Sequence, residues 1–291
     1  MDIEKLRLFK TLADLKHFHR AAERSHVSPS KLSRVLQAIE AEVGARLLDR
    51  DNRSVSLTAQ GVLFLQHARA MIQQWETLQD QLLIAKDSLS GSISIYCSVT
   101  ASYSFLYDML TDFRRLHPDI QIKLHTGDPA EALERVQSGR EDIAIAARPE
   151  RLPSELSFKS FAQSPLIFIT PSEGHRFEQI AEQYPADFWH KIPLIISERG
   201  VAREQLDDWF RKNQITPNIH AQVAGHEALV SMVSLGFGVG LVPRIAMDNS
   251  PLKDRVRPFR YQAKLKPYDV GVCVLEKRLK SPVVEAFWSQ I

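Results

Sequence analysis

The chain has 291 residues, 44% of them apolar and 25% charged, an ordinary soluble composition with room for two or three domains that each bury a core. Its net charge of +2 excludes a polycation that would hold anions over its whole surface. The charge is unevenly placed, because residues 1–57 carry 11 Lys and Arg against 8 Asp and Glu, and this points to an anionic partner for that segment alone. The start, Met1-Asp2-Ile3-Glu4-Lys5, is acidic and no apolar run of the secretory kind follows it. The most apolar stretch, between Glu227 and Arg244, is too short to span a bilayer and is broken by Ser231, Ser234 and three glycines. Cys97 and Cys273 form no CxxC and no zinc spacing, which suits a reducing compartment. A cytoplasmic location with no membrane partner is therefore expected.

In chain order, Ile3, Leu6, Phe9 and Leu12-Ala13 recur at helical spacing and predict a helix near residues 2–15. Phe18, Ala21 and Ala22 mark a short second helix near 18–25, whose alanines let a neighbour approach closely. After a turn, Ser28-Pro29 supplies an N-cap and a proline at the first helical position, and Gly44 ends the third helix. Two helices joined by so short a turn form a helix-turn-helix. If Leu32, Leu36 and Ile39 face inward, then Ser28, Ser30, Lys31, Ser33, Arg34 and Gln37 face outward, with acids only at Glu40 and Glu42. Those outward groups suit phosphates and major-groove base edges, and the free amides at the helix start favour a phosphate. A merely solvated helix face is the bland alternative. Leu47-Leu48 and Val55/Leu57 flank a polar turn at Asp51-Asn52-Arg53, which predicts a small hairpin, a wing with Arg50 and Arg53 at its tip.

Phe18…Ala21-Ala22, Val27-Ser28-Pro29-Ser30…Leu32-Ser33 and Leu47…Arg50…Arg53…Val55…Leu57-Thr58…Gly61 together resemble the N-terminal signature of the LysR-type transcriptional regulators. Three positions depart from that signature. His17 stands where the family often has a Ser or Gly, Leu48 replaces a frequent Phe, and Gln60 interrupts the Thr-x-Ala-Gly ending.

From Thr58 to about Asp87 there is no proline, and Leu65, Ala68, Ile72, Trp75, Leu78 and Leu82 step by three and four. Such a stripe needs another helix to cover it, either in the same chain or in a second copy. The resemblance implies a dimerisation helix, and a dimer would present two recognition helices about 34 Å apart. Ser88-Leu89-Ser90-Gly91 reads as a hinge.

Beyond it strands near 92–97, 120–124, 143–147, 166–170, 194–197, 219–224, 238–242 and 270–275 alternate with helices near 104–117, 130–138, 202–213, 226–235 and 282–290. That predicts an α/β fold with a largely parallel sheet. The resemblance implies the division 1–58 (winged helix-turn-helix), 59–87 (linker helix), 88–91 (hinge) and 92–291 (bilobal effector domain like the periplasmic binding proteins). Lobe I would comprise 92–162 and 267–291, and lobe II 163–266. The groups at strand C-termini facing a cleft would be Ser98, Thr100, Ala101, Ser102, Thr126, Ser197, Arg203 and His226, where helix N-termini and hydroxyls suit a small carboxylate. Each taken singly is equally a helix cap.

Cys97-Ser98-Val99-Thr100-Ala101, His125-Thr126-Gly127-Asp128, Gly225-His226-Glu227-Ala228 and Glu285-Ala286-Phe287-Trp288 resemble the branch of the family that controls isoleucine and valine biosynthesis. It implies an activator of the acetohydroxy acid isomeroreductase gene, with acetolactate or acetohydroxybutyrate as co-inducer and no cofactor. The implied partners are an operator in double-stranded DNA, further copies of the chain in a homodimer or homotetramer, and RNA polymerase.

Enzyme readings find little. His226-Glu227 is similar to the opening of a zinc-protease helix, but Val230 takes the place of its second His. Gly236-Phe237-Gly238-Val239-Gly240-Leu241 is not GxGxxG, and no GxSxG or P-loop lysine occurs. His17, His19 and His26 have no Cys or acidic partner at zinc spacing. A catalytic site and a metal are not expected, and the two cysteines read as buried structural thiols. One reading from another class stays open, an α/β small-molecule-binding protein whose N-terminal helices only dimerise it. An uncovered, basic outer face on the third helix separates the two.

Overall fold

The structure, a computed structural model, describes residues 1–51, 54–83, 89–173 and 177–291. The chain forms two compact units, residues 1–89 with 138–140 and residues 90–137 with 141–291.

In the first unit α1 (Ile3–Leu15), α2 (Phe18–Arg24) and α3 (Pro29–Val43) are followed by β1 (Leu48–Asp51), β2 (Ser54–Leu57) and α4 (Ala59–Leu83). The cap chemistry sets the boundaries. Asp2 accepts from the Lys5 amide, His17 from the Arg20 amide and Ser28 from the Lys31 amide, while Gly44 closes α3 in the left-handed conformation. His17 thus does the work of the hydroxyl it replaces. Leu8, Phe9, Leu12, Ala21, Ala22, Leu32, Leu36, Ile39 and Leu47 form one core, on which Val27, Val55 and Leu57 pack. β1 and β2 pair antiparallel as a hairpin, Arg50 opposite Val55. The apolar stripe of α4 divides. Leu65 joins that core, while Ala68 and Ile72 pack against Leu6 of α1. Trp75 and Leu78 remain exposed. The same-chain alternative therefore accounts for the first half of the stripe, and Leu82 has no described side chain.

The second unit runs β3 (Gly91–Cys97), α5 (Val99–Ser104), α6 (Leu106–Leu116), β4 (Ile120–Thr126), α7 (Ala132–Gln137), β5 (Ile143–Ala147), β6 (Leu156–Ser164), β7 (Leu166–Pro171), α8 (Phe177–Gln183), α9 (Phe188–Lys191), β8 (Leu194–Ser197), α10 (Val201–Lys212), β9 (Ile219–Val223), α11 (His226–Ser234), β10 (Val239–Pro243), α12 (Arg244–Asp248), β11 (Val256–Pro258), β12 (Tyr268–Leu275) and α13 (Pro282–Ser289). These build two five-stranded sheets, ordered β4-β3-β5-β12-β6 and β11-β7-β10-β8-β9. The chain leaves the first sheet after Ser164 and returns to it at Tyr268, so the unit has two lobes.

The sheets are mixed and not largely parallel. In the first, β3 pairs parallel with β4 and β5, whereas β12 pairs antiparallel with β5 and β6. In the second, β8 pairs parallel with β9 and β10, whereas β7 pairs antiparallel with β10 and β11. The antiparallel members are the strands at the crossings between lobes, where no crossover helix forces a parallel return. The central strands are buried along their length, as in Ile143–Ala147, and read as unbroken apolar runs. Among the described residues no helix is long and apolar enough to cross a membrane.

Candidate functional site

Helix α3 carries the first candidate surface. Leu32, Leu36 and Ile39 are buried at 1% exposure or less, which fixes the helix rotation and turns the opposite face outward. Ser28, Ser30, Lys31, Arg34 and Gln37 are exposed and Ser33 is half-buried. Ser28 is already engaged: its Oγ caps the Lys31 amide at 3.2 Å and lies 3.1 Å from Ser30 Oγ. Among the described residues no ion pair occupies Lys31 or Arg34. The acids at the other end of α3 are structural. Glu40 Oε1 accepts from the Leu47 and Leu48 amides at 2.8 and 3.2 Å, and Glu42 Oε1 receives the N-terminal amine at 2.5 Å. One end of the helix thus holds the wing and the N-terminus, and the other presents hydroxyls, an amide and two cations to solvent. Arg50 lies on β1, but its side chain and the whole of Arg53 lie outside the described residues.

The second candidate site is the cleft between the two lobes of the second unit. A cavity of about 120 Å³ is lined by Asp128, Ala130, Ser197, Arg199, Glu204 and His226, among others. A smaller pocket is lined by Ser98, Thr100, Ala101, Phe105 and Ala246, and both touch Pro129, Ala147, His226 and Tyr268. Most of the lining comes from the C-terminal ends of β3, β4, β5, β8, β9 and β10, where strand order places loops and helix starts together, and Tyr268 joins it from the start of the antiparallel β12.

Of the residues expected here, Ser98, Thr100, Ala101, Ser197 and His226 line these pockets. Three expected residues do not. Ser102 Oγ donates to the Val99 carbonyl within its own helix at 2.7 Å. Thr126 is exposed on β4. Arg203 is drawn away, its Nε on Asp207 at 2.7 Å and its Nη1 on the Ser197 carbonyl and Gln222 Oε1 at 2.9 and 2.8 Å. The cation facing the cleft is Arg199, whose Nη2 lies 3.0 Å from Glu131 Oε1 and whose Nε lies 3.4 Å from Asp128 Oδ2. Gly200 beside it has φ +97°, and a Cβ there would stand 3.1 Å from the Ala130 Cβ of the opposite lobe. Glycine there serves both the turn into α10 and the close approach of the lobes.

The other residues missed by sequence reasoning are Tyr268 and Glu227. Glu227 Oε1 accepts from both the backbone amide and the hydroxyl of Thr100, at 2.5 and 2.6 Å. His226 and Tyr268 meet edge to face with ring centroids 5.6 Å apart. Burial lowers the pKa of the His226 imidazole and, with the charges of Asp128 and Glu227, raises that of the Tyr268 hydroxyl, so both stay neutral near pH 7. Among the described residues the cleft thus holds the Arg199 guanidinium paired with Asp128 and Glu131, the further carboxylates of Glu204 and Glu227, neutral hydrogen-bonding groups and apolar walls. Its cation and its Thr100 amide and hydroxyl suit a small anionic ligand once the protein's own acids give way. Among the described residues no cluster of His, Cys, Asp and Glu has the form of a metal site.

The chain matches two family models, "Bacterial regulatory helix-turn-helix protein, lysR family" over residues 3–62 and "LysR substrate binding domain" over residues 86–291. It is 40% identical to the HTH-type transcriptional activator IlvY of Haemophilus influenzae over 100% of both chains. To the HTH-type transcriptional regulator IlvY of Escherichia coli it is 41% identical, over 99% of this chain and 98% of that one. Among solved structures it is similar to a full-length OxyR variant from Pseudomonas aeruginosa, with a TM-score of 0.67, 20% identity, and 99% and 94% of the two chains covered. It is similar also to full-length CbnR complexed with target DNA, with a TM-score of 0.63, 22% identity, and 100% and 99% covered.

Proposed function

The chain belongs to the LysR family of bacterial helix-turn-helix transcriptional regulators, and from that premise we propose that it activates the acetohydroxy acid isomeroreductase gene of isoleucine and valine biosynthesis in response to acetolactate or acetohydroxybutyrate. The observation that carries this reading is full-length identity of 40% or more to activators and regulators of the IlvY type.

Residues 1–58 read the operator. Ser28, Ser30, Lys31, Ser33, Arg34 and Gln37 face the major groove, with Arg50 and Arg53 on the backbone or minor groove. The exposure of Lys31 and Arg34, and the lack of an ion pair at either among the described residues, support this, because a helix face used only for dimerisation would be apolar. Residues 59–87 pair two copies, for which Trp75 and Leu78 offer exposed apolar surface. Assembly as a dimer or tetramer and contact with RNA polymerase complete the activator in the cytoplasm.

In the cleft, the amide and hydroxyl of Thr100 receive the effector's carboxylate, and Arg199, Ser98, Ser197, His226 and Tyr268 supply partners for its ketone and tertiary hydroxyl. The ligand acts by differential affinity for two arrangements of the assembly, which changes how the wings follow bent DNA.

Two measurements test this. Thermal unfolding of the purified chain with branched-chain intermediates is expected to rise with acetolactate or acetohydroxybutyrate, by about 2.7 kcal/mol of stability at a hundredfold excess over Kd. Stabilisation by a different small carboxylate, and by neither of these, sinks the effector assignment. Arg34→Ala and Lys31→Ala are expected to weaken operator binding with folding intact, a phosphate contact lowering the salt slope by about 1. Unchanged binding at fixed salt refutes the recognition face.

A further inference from the structure

The donors that an incoming carboxylate needs are already taken by the protein's own carboxylates. Arg199, from the loop before α10, is held by Asp128 and Glu131 of the opposite lobe at 3.4 and 3.0 Å. Thr100, on α5 of the first lobe, is held through both its amide and its hydroxyl by Glu227 on α11 of the second. Thr100 is 5% exposed, so its two donors need a partner whenever the cleft is shut to water. Ser98 Oγ accepts from the neighbouring Ala101 amide and so caps α5. The far end of α5 is bridged to the second lobe as well, by Asn249 Nδ2 on Ser104 Oγ at 2.6 Å.

We propose that Glu227 is an internal occupant of the effector cleft: its carboxylate stands in for the effector's on Thr100, bridges the two lobes, and must be displaced when the effector binds. The exchange is balanced, since one carboxylate replaces another on the same amide and hydroxyl. Glu227 thereby sets the threshold concentration of effector, because every binding event competes with a tethered acid. The rise of the Cys97 thiol pKa, by burial and then by the Glu227 charge, accords with a carboxylate directed into the cleft. This inference rests on the reading of the cleft as the effector site.

The experiment compares the full chain with Glu227→Ala and Glu227→Gln by acetolactate calorimetry and by hydrogen exchange of the segment 98–104 without ligand. Removing the competitor is expected to tighten acetolactate binding about tenfold in Glu227→Ala, with Glu227→Gln between it and the parent. Without ligand, Glu227→Ala is expected to lose protection over 98–104, and saturating acetolactate restores it. Weaker or equal acetolactate binding in Glu227→Ala overturns the competition. If neither the parent nor the variants bind acetolactate, the choice of effector in the preceding section fails. Hydrogen exchange then decides the latch alone: lost protection in Glu227→Ala supports it, and unchanged protection overturns it.

Discussion

Gly61 lies against the carbonyl of Leu47 so closely that a Cβ on it would stand 1.9 Å from the Leu47 oxygen. The same carbonyl accepts from the Thr58 amide at 3.1 Å, and Thr58 Oγ1 both donates to the Arg46 carbonyl at 2.8 Å and accepts from the Gly61 amide at 2.9 Å. The base of the wing and the first turn of α4 are thus knitted through backbone groups that cannot give way. Two effects of Gly61→Ala oppose each other. Helix propensity gains about 1 kcal/mol, and forcing a methyl against backbone costs about 1–3 kcal/mol or more. At 1.9 Å the clash wins. Denaturant unfolding of the variant is expected to show a less stable first unit and weakened operator binding, and a stabilised variant sinks this account.

In the second unit Arg278, 4% exposed, pairs with Asp142, whose Oδ2 also accepts from the amide and hydroxyl of Ser94 at 2.9 and 2.8 Å. Arg278 follows β12 and Asp142 precedes β5, so the pair ties the ends of neighbouring strands. Removing one partner leaves a shielded charge. Arg278→Ala is expected to cost about 3–5 kcal/mol, and Arg278→Met with Asp142→Asn much less. Equal losses in the single and double variants, read from midpoints at constant m-value, argue against a charge-pairing role.

How much of this is legible in the residues follows from where the signal is local. Ser28-Pro29 and Gly44 bound α3 because caps act through the adjacent backbone, and the observed N-cap and left-handed Gly44 are those expected. The pattern misses α5, Val99–Ser104, and places the next helix at 104–117, where α6 runs over Leu106–Leu116. Ser98 caps α5, and Val99-Thr100 offer little helical periodicity. β6 escapes a reading by pattern because its nine residues are mostly half-buried, without period-two alternation. The sequence points to Arg203 in place of Arg199 because both flank the same strand end. Only the three-dimensional course of the loop at Gly200 shows which one faces the cleft. Glu227 is invisible for the same reason, its partner Thr100 lying 127 residues away.

His226 confers a pH dependence whose sign is set by burial. Its folded pKa is lowered, chiefly by desolvation, against the opposing pull of Glu227 and Asp128. The unfolded chain therefore takes up the proton first, and the stabilising contribution is present above about pH 6.5 and lost as pH falls below it. The second unit is expected to lose stability on acidification below that point, by up to about 1.4 kcal/mol per pH unit from this group. His226→Gln is expected to flatten the slope relative to the parent, which separates the imidazole from the carboxylates that titrate beneath it. Parallel slopes in the two proteins contradict a buried neutral imidazole.

The two thiols have the opposite signature. Cys97 and Cys273 are unpaired and buried on β3 and β12. Burial pushes both thiols up to about 12, the Glu227 charge adding to the rise at Cys97. The unfolded thiols ionise first, near about pH 8.5–9, so the native state loses stability as pH rises from there towards 12, by about 1.4 kcal/mol per unit for each thiol. Tyr96, also raised by burial to about 12, adds a loss of the same sign that begins about one unit higher. At about pH 8 almost no thiolate is present in the folded protein, and the nucleophile is the thiolate. Labelling by an aromatic disulfide at that pH is therefore expected to proceed at the unfolding rate in the native protein and to reach both cysteines at once in urea. Peroxide at concentrations that oxidise exposed thiols is expected to leave operator binding unchanged. Fast native labelling, or a peroxide-dependent change in binding that Cys97→Ala abolishes, assigns these residues a redox role in place of a structural one.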